Sequence, residues 1–140
     1  YGAVRVRGTY DQIGKGFSFL YKHLHSLMIG KAYGFYYDME YKEVDAQFEA
    51  VIEIKKPVAI PGIICSSITP IPAVTLLHKG PYGTQGSSYF KIFHYCSSRG
   101  YTMKPPLIEQ FIKGPGMFLK GNPKNYLTRI TVLFDRGKSI

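Results

Sequence analysis

The chemistry this chain offers lies in a few carboxylates set among many aromatic rings. In the run Phe48-Glu49-Ala50-Val51-Ile52-Glu53-Ile54, successive side chains point to opposite faces of an extended strand. Glu49, Val51 and Glu53 share one face, while Phe48, Ala50, Ile52 and Ile54 share the other. The apolar face belongs in the core, so the two glutamates face a cleft or solvent. A carboxylate among rings attracts a cation, because an unpaired buried charge is costly and ring faces favour positive charge. Tyr36, Tyr37 and Phe111 lie in short apolar runs and are the expected stacking surfaces, and Glu109 stands just before Phe111. Arg129, in Leu127-Thr128-Arg129-Ile130-Thr131-Val132, is the basic counterpart. An arginine opposite Glu49 would neutralise it in a buried pair and turn preference toward neutral or anionic aromatic ligands.

Other chemistries find less support. His23 and His25 are two apart on a helix and do not share a face. His78 and His94 fall in different elements, and no Cys/His spacing suits zinc. Neither metal nor cofactor is expected. No serine sits in a Gly-x-Ser-x-Gly elbow. Cys65 and Cys96 form no CxxC, which reads as a reduced intracellular, cytoplasmic protein and leaves a single disulfide open.

These residues must be positioned by two similar halves. Arg7-Gly8-Thr9-Tyr10-Asp11-Gln12-Ile13-Gly14 aligns with Lys79-Gly80-Pro81-Tyr82-Gly83-Thr84-Gln85-Gly86 at a constant offset of 72 residues, from Gly8 to Gly80. In each half an alternating strand (Ala3–Arg7, Ala73–His78) ends in a Gly-x-Tyr turn. Tyr10 and Tyr82 are expected to buttress that turn. Ile13, Phe17, Leu20, Leu24 and Leu27 then recur at helical spacing, matched by Tyr89, Ile92 and Cys96. Asp11 suits the first helix as an N-cap, and Gly30 and Gly100 suit the helix stops. Gly14, Gly16 and Gly86 near the helix starts suggest close backbone approach there. Two further strands follow each helix, about 34–38 and 46–54, then 108–112 and 127–134. A short strand near 63–68, between prolines, is expected to open the second half. Lys42, Glu43, Asp45 and the stretch 113–124 read as solvated loops. The reading is one domain, 1–140, with repeats 1–58 and 62–136.

Composition narrows the partners. Twelve Tyr, nine Phe and no Trp give rings with polar tips, suited to a pocket as well as a core. The net charge of +9 is spread along the chain without a basic run longer than Lys55-Lys56, and no nucleic-acid-binding motif appears. No direct nucleic-acid contact by this segment is expected. No stretch has the length of a membrane span. Beginning at Tyr1 rather than Met, the natural protein is expected to extend further upstream.

The residues His78-Lys79-Gly80-Pro81-Tyr82-Gly83, followed by Gly86 and an aromatic-rich helix, resemble the GyrI-like family, and Val6-Arg7-Gly8-Thr9-Tyr10 with Gly14 resembles the same motif again. Tyr36-Tyr37-Asp38 looks like that family's aromatic-aromatic-Asp strand end. The family includes gyrase-inhibitory proteins and the effector-binding domains of MerR-type and AraC-type multidrug regulators. The resemblance implies an α+β fold of two tandem β-α-β-β units with pseudo-two-fold symmetry. A curved antiparallel sheet would carry both helices on one side. It also implies a central ligand cleft for planar or cationic drugs, stacked on aromatics and held by a carboxylate. Glu49 matches the family's acidic position on the last strand, whereas Arg129 stands where the second copy keeps a glutamate. Glu109 in Pro105-Pro106-Leu107-Ile108-Glu109-Gln110-Phe111 resembles a third acidic position.

The expected function is therefore a small-molecule binding module, acting as monomer or homodimer, alone or as the sensing part of a transcriptional regulator. Its expected site is Glu49, Arg129, Tyr36, Tyr37, Glu109 and Phe111. The alternative is a hydrolase of strained or planar xenobiotics, like a branch of the family that opens cyclopropane-bearing toxins. That branch would need a cleft carboxylate to activate water, and the missing second-copy glutamate argues against it.

Overall fold

The computed structural model describes residues 1–38, 42, 44–81, 84–113 and 123–135. Tyr82, Gly83, Glu43 and most of the 113–124 loop lie outside the described residues. The chain is α+β and divides into two compact units, Tyr1–Thr69 and Pro70–Ile140, each with the order strand, helix, strand, strand, to which the first adds a short fourth strand.

In the first unit, β1 (Gly2–Gly8) leads through a 3-10 turn (Tyr10–Gln12) into α1 (Ile13–Leu24). A second 3-10 turn (His25–Leu27) leads to β2 (Met28–Tyr36), β3 (Ala46–Ile54) and the short β4 (Ile64–Cys65). The strand order is β4-β1-β3-β2, antiparallel throughout. The helical stripe does what its spacing requires. Leu20 and Leu24 are fully buried against Ala50 and Ile52 of β3, with Ile13, Phe17 and Leu27 packed around them. Each such aliphatic side chain contributes about 1.5–3 kcal/mol through removal from water.

Local details depart from expectation for physical reasons. Asp11 is not the N-cap of α1, because a 3-10 turn intervenes. Thr9 begins that turn, its N–H donating to Gln12 Oε1 at 3.0 Å and its hydroxyl to Asp11. Gly30 is no helix stop. It lies in β2, which starts earlier than expected, at a register shift where the Glu53 side chain folds over the backbone and a Cβ would meet Oε2 at 2.3 Å. Nothing approaches Gly14 or Gly86 within 4 Å, so close approach does not explain them. The short strand expected to open the second half instead pairs with β1, Cys65 opposite Gly2 and Ile64 opposite Ala3. Val58, Ile60 and Ile63 before and beside it pack on the α1 core, which ties the segment to the first unit.

In the second unit, β5 (Ala73–Lys79) precedes α2 (Gly86–Ser98), β6 (Thr102–Lys113), a 3-10 turn (Pro123–Asn125) and β7 (Leu127–Asp135). The order is β6-β7-β5, antiparallel. β6 begins six residues before the expected 108, with a register shift spanning Pro105-Pro106, where proline cannot donate to a ladder. Ile92, Cys96, Ile130 and Val132 form its core. Gly100 does end the helix region, at φ +72° just past the cap residue Arg99, a conformation open to glycine. Gly8 and Gly80 have φ +150° and +131°, so both Gly-x-Tyr motifs turn the chain out of a strand in a way a side chain would resist.

Candidate ligand site

In the first unit, strand register sets Arg5 opposite Glu49 and Glu49 opposite Phe35, a row on the face away from α1. Glu49 is buried, only 2% exposed. Its carboxylate accepts from the Tyr37 hydroxyl at 2.5 Å and lies 3.7 Å from Arg5 Nε. Further along the same face the Tyr33 hydroxyl donates to Glu53, and the Phe35 ring meets Tyr1 and Tyr33 edge-on, with centroids 5.3 and 6.4 Å apart. Burial, then the bond to Glu49 and its charge, push the Tyr37 phenol well above its ordinary pKa. Asp38 closes the β2 end by accepting the Gln47 N–H at 2.6 Å, a bond that holds its carboxyl below the usual range.

Tyr36 points the other way. Its ring stacks on Phe48 at 5.9 Å and meets Tyr10 at 5.7 Å, so it stands on the face opposite Tyr37 and Glu49. Adjacent residues of a strand cannot serve one face. Tyr10 also supports the loop, its hydroxyl accepting the Lys42 N–H at 3.1 Å.

In the second unit, Glu109 lies beneath the first turn of α2. The Tyr89 hydroxyl donates to its Oε2 at 2.5 Å. Two strands away on the same face of the sheet, His78, also buried, is hydrogen-bonded through Nδ1 to Ser88 Oγ (2.8 Å) and through Nε2 to Thr84 Oγ1 (3.0 Å). Phe111 follows Glu109 on the same face of β6, opposite the fully buried Thr128. Burial pushes the Glu109 carboxyl up from its ordinary pKa, against the weaker opposing pull of Tyr89 and Gln85. The Gln85 side-chain amide also meets the carboxylate and favours its charged form. Thr128 Oγ1 makes no hydrogen bond. A fully buried hydroxyl without a partner is unusual, since it forfeits its bond to water without replacement. Among the described residues, no cation pairs with Glu109.

Arg129 is on the opposite face of this unit from Glu109, donating through Nη1 to Gln110 Oε1 at 3.0 Å. The six expected residues thus resolve into separate groups: Glu49 with Tyr37, Glu109 with Phe111, Arg129 with Gln110, and Tyr36 with Phe48. Sequence reasoning missed Arg5 as the cation beside Glu49, although its place on an alternating strand was the available signal. It read Tyr89 and His78 only as helix stripe and structural histidine. Gln85 and Thr128 carried no signal. Among the described residues no group of three His, Cys, Asp or Glu could hold a metal, and no helix is long and apolar enough to cross a membrane.

The family model of the GyrI-like small molecule binding domain matches residues 1–133. The chain belongs to the GyrI-like family. Among solved structures this GyrI-like chain is similar to the EcmrR C-terminal domain, with 22% identity and a TM-score of 0.77, over 96% of this chain and 90% of that one. It matches EcmrR in a DNA complex equally well, with 23% identity and a TM-score of 0.77, but spans only 53% of that longer chain. A hydrolase from Listeria innocua shares the fold at 13% identity and a TM-score of 0.66, over 96% and 86% of the two chains. At these identities the likenesses concern fold alone. No curated protein matches.

Proposed function

We propose that this GyrI-like domain senses a small aromatic ligand bearing a positive charge, with Glu109 as its anchor. The observation that carries this reading is the buried Glu109 without a cation partner among the described residues, its carboxylate met by the neutral Tyr89 and Gln85 side chains. A ligand ammonium or amidinium supplies the missing counter-charge. Phe111 and Tyr89 supply aromatic surface beside the carboxylate. Arg129, expected to neutralise Glu49 and so favour neutral or anionic ligands, bonds Gln110 instead. Glu49 already has Arg5, and Glu109 is the carboxylate without a counter-ion, so the balance returns to cations.

Glu49 with Tyr37, and Arg129 and Tyr36 in their own settings, are proposed as secondary contributors to recognition. The likeness to the EcmrR C-terminal domain supports a sensing role within a longer regulator. Nothing observed favours the hydrolase alternative.

Isothermal titration with a planar cation (ethidium) and with an uncharged aromatic of similar size tests the reading. The cation is expected to bind, and Glu109→Gln to weaken it at least about tenfold, the scale of one buried charge pairing. Equal affinity in wild type and Glu109→Gln would sink the assignment.

A further inference from the structure

The outer edges of the two units are finished differently. In the first unit the edge of β1 is covered from within the chain: β4 pairs with Gly2 and Ala3, Ser66 N–H donates to Tyr1 O at 2.9 Å, and Val58, Ile60 and Ile63 pack on the α1 core. Gly62, at φ +87°, passes over Phe19, whose ring would stand 3.3 Å from a Cβ there. The offset that relates Gly8 to Gly80 carries Gly2 to Val74, Phe19 to Lys91, Leu20 to Ile92 and His23 to Tyr95. In the second unit these positions border an open groove of about 480 Å³, between Ala73–Leu76 of β5 and Lys91, Ile92 and Tyr95 of α2. Among the described residues β5 pairs with β7 alone, and Leu77 and Tyr95 are 52% and 41% exposed. The groove filled in one unit by residues 58–65 is, among the described residues, open in the other.

We infer that the β5 edge and this groove receive an extended apolar segment of a partner protein, added antiparallel to β5 and carrying a carboxylate over Lys91. The covering segment of the first unit shows the shape that fits: an extended strand end preceded by spaced aliphatic side chains. An unpaired strand edge supplies backbone donors and acceptors, and a helix-flanked groove supplies the side-chain pocket, the combination used in strand-addition recognition. Charge selects the occupant. Lys79, Lys91, His94 and Arg99 lie along β5 and α2, and neither element contains an acidic residue. Where the first unit has the apolar Phe19, the second has Lys91, so its occupant needs an acid at that point. A second copy of this chain would set Lys91 against Lys91 between two chains of charge +9, which disfavours self-pairing.

The test uses the full chain and fluorescein-labelled synthetic peptides of Val58–Ser66 with Cys65→Ser, one carrying Pro61→Glu and one Pro61→Lys, read by fluorescence anisotropy. The glutamate peptide is expected to bind about five- to tenfold more tightly than the lysine peptide, the range of one partly exposed ion pair gained against one repulsion. That preference should vanish or reverse in the surface variant Lys91→Glu, and methylation of the peptide's Ile64 nitrogen should weaken binding about tenfold. Three results overturn the inference: no binding by either peptide, binding indifferent to charge and to N-methylation, or a stable dimer in sedimentation that Leu77→Lys dissociates. None of these bears on the Glu109 site, which ethidium titration reads separately.

Discussion

Three carboxylates here are each bonded by a tyrosine hydroxyl: Glu49 by Tyr37, Glu53 by Tyr33, and Glu109 by Tyr89. They differ in what else meets the charge. Glu49 has Arg5 at 3.7 Å, whereas Glu109 is buried with the neutral Tyr89 and Gln85 and no cation among the described residues. That difference gives a sign to the pH dependence. The Glu109 pKa is raised by burial, so below the ordinary carboxylate range its protonated form keeps full stability. As pH rises through the raised value, the buried carboxyl ionises and folding stability falls. Glu109→Gln should flatten that fall in urea denaturation measured across the mildly acidic to neutral range. An unchanged slope would locate the dependence elsewhere. Tyr37→Phe should cost about 1 kcal/mol, the net worth of a hydrogen bond, because Arg5 still partners Glu49.

At the scale of elements, the same substitution has opposite signs in two places. Gly14 lies inside α1 with nothing within 4 Å of a Cβ, so Gly14→Ala should stabilise by about 0.5–1 kcal/mol through helix propensity. Gly100 also has open space, but its φ of +72° makes Gly100→Ala cost about 1 kcal/mol in backbone strain. Thermal denaturation of the two variants should shift in opposite directions. Leu24, wholly buried between α1 and β3, should cost about 2–5 kcal/mol when cut to alanine, with the first unit's probes reporting the loss.

For the whole molecule, the net charge of +9 opposes the approach of the cation that Glu109 is proposed to hold. Long-range repulsion acts on encounter and is screened by salt, while a buried pairing is screened much less. Stopped-flow mixing with ethidium should therefore show an association rate that rises several-fold from low to physiological salt, with a dissociation rate that changes little. An association rate that falls with salt would mean that a local negative field, not net charge, governs entry.

The sequence by itself determined the α+β class, the strand-helix-strand-strand run in each half, the helical stripe of α1 and the special glycines of both Gly-x-Tyr turns, but not the home of the short strand at Ile64–Cys65. These follow from periodicity and local backbone sterics, which neighbouring residues fix without help from distant ones. It also placed Glu49, Tyr37 and Glu109 among the residues worth watching. Tertiary structure alone decided their company. Register put Arg5 rather than Arg129 beside Glu49, strand pleat sent Tyr36 away from Tyr37, and the packing of α2 over β6 buried Glu109 with Tyr89 and Gln85. Pairing partners and burial depend on contacts between segments far apart in the chain, and no local pattern encodes which of several compatible partners a buried charge will meet.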